Sequence, residues 1–193
     1  MNKEKRTPPT LDQLKRELRR ERYRKSYGET LSSTLFSLVV VAALAVLIAT
    51  ILLPVFQLYG SSMAPNLNDG EIVVSVRTGK PEQGDLIAFY YNNKVLVKRV
   101  IATPGQWVEL DEDGNVYVNG EALEEPYLKE KDMGDCDIEM PYQVPDGRWF
   151  VMGDARATSV DSRNKAIGCV SEEQIVGRLV FRIWPLDAIS RLD

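Results

Sequence analysis

Between Leu31 and Asn68 the chain carries no charged residue, and the most apolar part of that run, Thr34 to Leu53, is twenty residues long. At 1.5 Å per residue a helix of that length spans roughly 30 Å, the hydrocarbon thickness of a bilayer. The run predicts one transmembrane helix over residues 31–54, with Pro54 marking its end. A cleavable signal peptide is the competing reading. The basic region before the run is too long for it, and the run exceeds the usual apolar segment of roughly 7–15 residues.

The flanking charge sets the orientation. Residues 1–30 carry ten Lys/Arg and five Asp/Glu, net +5, so the remaining 163 residues carry net −9 of the overall −4. A basic block can bind nucleic acid, but one placed directly before an apolar span reads as a topogenic flank that stays cytoplasmic. Leu11, Leu14, Leu18, Tyr23 and Tyr27 form a thin helical stripe on this cationic segment, suited to an anionic leaflet. The expected partner is the lipid bilayer, not nucleic acid. Disorder is expected up to about residue 10, where Thr7-Pro8-Pro9-Thr10 stands. Residues 55–193 are then extracytoplasmic and long enough for one ordinary domain of roughly 140 residues.

Beyond the span the pattern turns from helical to extended. Glu71–Val76 is β-rich, and Asp85–Tyr91, Asn92-Asn93 and Lys94–Ile101 read as a hairpin with a two-residue turn. Trp107–Leu110 and Val116–Val118 flank a second turn, and Asn119-Gly120 supplies a third. Residues 121–146 are acidic, proline-containing and weakly patterned, which predicts a surface excursion. Arg148–Met152 and Ile175–Trp184 read as returning strands, so the outer part is expected to be mainly β. Cys136 and Cys169 have neither zinc-finger nor CxxC spacing and read as two free thiols, able to pair only if an oxidising compartment brings them within range. No metal or cofactor is expected.

Ser62, in Phe56–Pro65, stands where the chain leaving the bilayer first meets water, and is the candidate nucleophile. The chain contains no histidine, which excludes a Ser-His-Asp triad and leaves Lys, Asp, Glu or Tyr as the base. A free lysine, with a pKa of about 10.4, is neutral only to about one part in a few thousand at pH 7. Bringing that pKa to between about 7 and 8 through burial costs roughly 4 kcal/mol. Lys80, Lys94, Lys129, Lys131 and Lys165 sit among turn or polar neighbours, whereas Lys98 follows Val95-Leu96-Val97 and precedes Val100-Ile101, with Arg99 on the opposite face of the strand. Taken alone, Lys98 is an ordinary strand lysine and Ser62 a turn serine. The conjunction with a third stretch, Met152 to Arg163, changes that reading: small, hydroxyl and paired charged residues are packed there without a hydrophobic period, a composition able to satisfy a buried polar site.

Together these stretches resemble the type I (leader) signal peptidase family, membrane-anchored Ser/Lys proteases. The Gly-x-Ser-Met-x-Pro pattern is matched by Gly60–Pro65, the Gly-Asp box by Gly84–Phe89, the Lys-Arg-Val box by Lys98–Ile101 with Pro104-Gly105, and the last box by Gly153–Arg163. The resemblance implies an all-β catalytic core carrying a β-rich insertion, here residues 103–146. It implies Ser62 as nucleophile, with its backbone N–H in the oxyanion hole, Lys98 as general base and Ser159 as the residue that orients the lysine. Asp161 and Arg163 would form an ion pair beside the site, with Asp154 and Arg156 supporting the same loop. Substrate, the signal peptide of a secreted preprotein, would add as a strand between Phe56–Ser61 and Val95–Val97, against walls from Leu58, Leu67, Leu96 and Val97. Small residues are implied at the first and third positions before the cut. Two alternatives stand beside this reading: a catalytically idle anchor module on the same scaffold that assists surface-polymer assembly, and a self-cleaving Ser/Lys regulator, which the membrane span disfavours. Asn66 replaces a usual Thr, Ala155 a usual Asn, and Gly60 a hydroxyl that completes the oxyanion hole in some members; one such donor is worth roughly 2.7–4 kcal/mol.

Overall fold

The computed structural model describes residues 10–77 and 79–192. The disorder expected before residue 10 lies, up to residue 9, outside the described residues. The chain divides into two compact units, residues 1–50 and 51–193.

The first unit is a helix, α1 (Leu11–Leu52), of 42 residues. Its start is chemically marked: the Thr10 N–H donates to Gln13 Oε1 at 3.0 Å, half of a capping box, and Asp12 sits in the first turn beside the positive helix end. The cationic stripe and the apolar span, two separate features of the sequence, are one continuous helix, because no glycine cluster or proline interrupts the run between them. Its stretch Thr30–Leu52, 23 residues, is long and apolar enough to cross a bilayer. The helix stops two residues before Pro54, whose ring disfavours helical backbone in the residue ahead of it.

The second unit is built on two antiparallel sheets. The strands are β1 (Val55–Gln57), β2 (Ile72–Val76), β3 (Leu86–Tyr91), β4 (Lys94–Ala102), β5 (Trp107–Leu110), β6 (Val116–Val118), β7 (Glu121–Ala122), β8 (Tyr142–Gln143), β9 (Arg148–Met152), β10 (Val170–Ser171), β11 (Ile175–Trp184) and β12 (Ser190–Arg191). The larger sheet runs β1-β2-β11-β3-β4-β9-β10, with β12 on β11, and the smaller runs β7-β6-β5-β8. The fold is mainly β. The expected hairpins are present with the expected turn chemistry: Asn92 and Asn93 (φ 44° and 64°) join β3 to β4, and Asn119 and Gly120 (φ 54° and 81°) join β6 to β7. Two consecutive positive φ values give the turn whose twist matches the strands it joins.

Period-two alternation feeds two clusters from β3: Leu86 and Ala88 pack with Met63, Leu67, Val97 and Leu179, while Ile87 and Phe89 pack with Val100, Trp149 and Val151. A third cluster, including Ile101, Val108, Val116, Phe150 and Cys169, joins the ends of β4 and β9 to the smaller sheet. Cys136 and Cys169 are free thiols, and burial pushes the Cys169 thiol up to about 11.

Residues 121–146 are mostly exposed, as expected of a surface excursion, but parts of the segment reach inward. Glu125 is buried, and the carbonyls of Asp132 and Met133 accept hydrogen bonds from Arg163, itself buried. These inward contacts carry no local signal, because the partners, arginines far along the chain, are not adjacent in sequence.

Candidate active site

Ser62 sits in the turn that follows β1. The turn enters through Gly60 at φ +94°, a backbone state that a side chain would strain, and the Gly60 N–H donates to Asp69 Oδ1 at 2.7 Å. Met63 and Leu67, linked by a Leu67 N–H to Met63 carbonyl bond of 2.9 Å, plug into the core and pin the turn from below. Ser62 is left half-buried at the surface of that plug.

Lys98 lies on β4 and is 3% exposed. Its Nζ donates to Ser159 Oγ at 2.8 Å. Burial brings its pKa down from 10.5 to about 8; Asp161 opposes the shift, Arg163 assists it and Asp154 opposes it. The neutral fraction at pH 7 thus rises from about one in three thousand to about one in ten.

Gly153 joins these two centres. A Cβ placed there would stand 2.1 Å from Ser159 Oγ and 2.5 Å from the Ser62 carbonyl oxygen, so Gly153 packs against both the Ser62 turn and Ser159. The Ala155 N–H donates to the Ser62 carbonyl and the Ser159 N–H to the Ala155 carbonyl, both at 3.0 Å. Gly153→Ala is accordingly expected to destabilise the fold by about 1–3 kcal/mol, the usual cost of overpacking; thermal unfolding checks this, and a variant of wild-type stability contradicts it.

Three buried ion pairs surround this centre. Asp161 receives Arg163 in a two-point contact, Nε to Oδ1 and Nη2 to Oδ2, both 2.9 Å, and also accepts the Gly153 N–H at 2.9 Å. Burial would raise the Asp161 pKa, but the hydrogen bonds and charge of Arg163 prevail and hold the carboxyl below its usual range. Asp154 and Arg156 do not pair with each other. Asp154 receives Arg99 at 3.0 and 2.9 Å, and Arg156 reaches Glu125. Asn66, in place of a threonine, donates through Nδ2 to Asp154 Oδ2 at 2.7 Å and to the Tyr127 carbonyl at 2.8 Å. Arg99, Glu125, Tyr127 and Asn66 thus join the site beyond the residues that sequence reasoning assigns to it. For Arg99 the sequence holds a signal, since an arginine inside an apolar strand needs a buried carboxylate; for Glu125 and Tyr127 it holds none.

A groove of about 100 Å³ opens beside Ser62, lined by Phe56, Leu58, Leu67, Leu96, Val97 and neighbouring residues. It therefore gathers Leu58, Leu67, Leu96 and Val97, the four wall residues expected from the sequence. One side is β1, the terminal strand of the sheet. The other is the first half of β4: among the described residues β9 pairs with β4 only from Arg99 onward, so Lys94–Lys98 are paired on the β3 side alone. Two strand edges thus face one groove, the arrangement that takes up an extended peptide through main-chain hydrogen bonds.

Known proteins share this sequence pattern. Residues 31–184 match the family model described as "Signal peptidase, peptidase S26". The chain is 33% identical over 169 residues to a signal peptidase I of Bacillus licheniformis, covering 81% of this chain and 90% of that one. It is 40% identical over 151 residues to signal peptidase IB of Staphylococcus aureus, covering 67% and 77%. Among solved structures, a signal peptidase I from Enterococcus faecalis is 33% identical, covers 52% of this chain and 97% of that one, and superposes with a TM-score of 0.45. On the family match, which spans the apolar helix segment and both strand systems, the chain belongs to the signal peptidase family, peptidase S26.

Proposed function

We propose that the protein is a membrane-bound serine endopeptidase that removes N-terminal signal peptides from exported preproteins, with Ser62 as nucleophile and Lys98 as general base. The observation that carries the dyad is the buried Lys98 amine, held by Ser159 with its pKa near 8, in the same contact cluster as the Ser62 turn. Lowering that pKa from 10.5 to about 8 costs the fold about 3 kcal/mol. A catalytically idle anchor has no use for such a group.

The preprotein adds as a strand in the groove, its apolar signal segment remaining in the bilayer. Small side chains before the cut suit the groove, which is smaller than the roughly 150 Å³ of a cavity that takes up benzene. Neutral Lys98 takes the Ser62 Oγ proton as the oxygen bonds to the scissile carbonyl carbon. Negative charge develops on the carbonyl oxygen, which the Ser62 N–H stabilises; the Gly60 N–H is held by Asp69. The C–N bond then breaks, the proton passing from Lys98 to the leaving amine, and an ester to Ser62 remains. Water attacks that ester, giving its proton to Lys98, which returns it to Ser62 Oγ as the new carboxyl end leaves. Ser159 keeps the amine aimed throughout.

The proposed layout has residues 1–30 cytoplasmic, 31–54 crossing the membrane and 55–193, with 103–146 inserted, on the outer face. Ser62 follows Leu53 by nine residues, so the tether confines enzyme and cleavage site to one layer. The test is incubation of the purified full-length protein in detergent with a model preprotein carrying an Ala-x-Ala site. Release of a mature chain beginning just after that site is expected. An intact preprotein, or cleavage elsewhere, overturns the reading.

A further inference from the structure

Glu125 and Tyr127 lie in the segment that leaves β7, outside the larger sheet, yet both are built into the site. Glu125 is 7% exposed and pairs with Arg156, which is 2% exposed. Tyr127 lays its ring over the Arg99 guanidinium, 4.0 Å from the centroid, and donates its hydroxyl to Glu125 Oε1 at 3.0 Å. Burial first, then the Glu125 charge, pushes the Tyr127 phenol well above its usual range, so it remains the proton donor in that bond at any working pH. The Tyr127 carbonyl accepts from Asn66 Nδ2, and the same nitrogen donates to Asp154, the partner of Arg99.

These contacts close a circuit: Asn66, Asp154, Arg99, Tyr127, Glu125, Arg156. It touches all three catalytic stretches. Asn66 belongs to the Ser62 turn, Arg99 is the neighbour of Lys98 on β4, and Asp154 and Arg156 flank Ala155, whose N–H and carbonyl hold Ser62 and Ser159. Arg156 also donates through Nε to the Gly153 carbonyl at 3.1 Å, and its own carbonyl accepts Arg163 Nη2 at 2.9 Å. A buried ion pair by itself is weak evidence of anything beyond architecture. A circuit that draws members from all three catalytic stretches and from the inserted segment fixes their relative placement.

We propose that Glu125 and Tyr127 are positioning residues for the peptidase reaction, holding the Ser62 turn and the Ser159 turn in register with Lys98. This rests on the assignment of Ser62 and Lys98 above. When the circuit is opened, residues 153–159 are free to shift, Ser159 Oγ withdraws from Lys98, and water reaches the amine. Turnover then falls, and the ionisation that governs activity moves upward from about 8 toward 10.5. The groove residues Leu58, Leu67, Leu96 and Val97 are outside the circuit, so KM is unchanged.

The experiment compares Glu125→Gln, Tyr127→Leu, Tyr127→Phe and Glu125→Asp in the full-length protein in detergent, with kcat and KM measured against pH beside thermal unfolding. Glu125→Gln and Tyr127→Leu are expected to lower kcat by up to about 10²-fold, the scale of a 1 Å misplacement, with the alkaline shift of the inflection. Glu125→Asp, which keeps the charge, restores most of kcat, and Tyr127→Phe, which removes only the hydroxyl, shifts the inflection in the same direction by less. Folded variants with lower thermal stability but wild-type kcat and inflection overturn the proposal. If Glu125→Gln does not fold, Tyr127→Phe decides on the same readout. A wild type that does not cleave, or an active Lys98→Met, marks failure of the dyad assignment and not of the circuit.

Discussion

Replacing Lys98 with methionine is expected to abolish cleavage and to change the pH dependence of stability in a defined direction. The wild-type amine has a folded-state pKa of about 8 against an unfolded value of 10.5. Below pH 8 both states bind the proton, and the folded state bears the full cost of burying a cation. Between 8 and 10.5 the unfolded chain binds more protons than the folded one, so wild-type stability rises with pH across that window, by about 3 kcal/mol in total, and is level again above it. The methionine variant has no such group. Plotted against pH, the stability difference, variant minus wild type, should be largest at neutral pH and shrink through that window. Removing the cation leaves the Ser159 hydroxyl with Asp161 as a neighbour, so it is not orphaned. Denaturant unfolding of both full-length proteins in detergent supplies the measurement, and parallel pH profiles would contradict a buried, shifted Lys98.

The second large effect is on Ser62. Ser62→Ala removes one hydroxyl from a half-buried turn whose position is set by Met63, Leu67 and main-chain bonds, none of which involve Oγ. Stability should change by no more than about 0.5 kcal/mol, as for substitutions away from special features. Turnover should fall on the order of 10⁵–10⁶-fold, the scale seen when a serine nucleophile is removed. Preprotein binding should persist, since the groove is intact. A variant that cleaves at more than a small fraction of the wild-type rate would remove Ser62 from the mechanism.

Much of this molecule is legible in its residues because the relevant signals are local. The apolar run before Pro54, the alternation of Leu86–Phe89 into two clusters, and Asn92-Asn93 with positive φ each specify structure within a few positions. Lys98 is legible because apolar residues flank it on β4, although the side chain that its amine meets, Ser159, lies 61 positions away. The partners of the charged residues are not local. Arg99 meets Asp154 across 55 positions and Arg156 meets Glu125 across 31, and nothing in the acidic stretch around Glu125 distinguishes a buried carboxylate from a solvated one. The two-residue strands β7, β8, β10 and β12 are too short to carry a period; ladder bonds to longer strands hold them, β7 and β8 in the smaller sheet on β6 and β5, β10 and β12 in the larger sheet on β9 and β11. The union of the cationic stripe with the span in one helix is likewise not legible, because residues 28–33 show neither apolar period nor breaker strong enough to decide the matter.

The central claim, that a buried neutral lysine drives serine acylation, is tested most directly by the pH dependence of kcat/KM for preprotein cleavage by the full-length enzyme. Activity is expected to rise with pH through an inflection near 8, tracking deprotonation of Lys98 in the free enzyme. A profile flat through that region, or one whose inflection sits at the 10.5 of an unburied lysine, contradicts that role for Lys98.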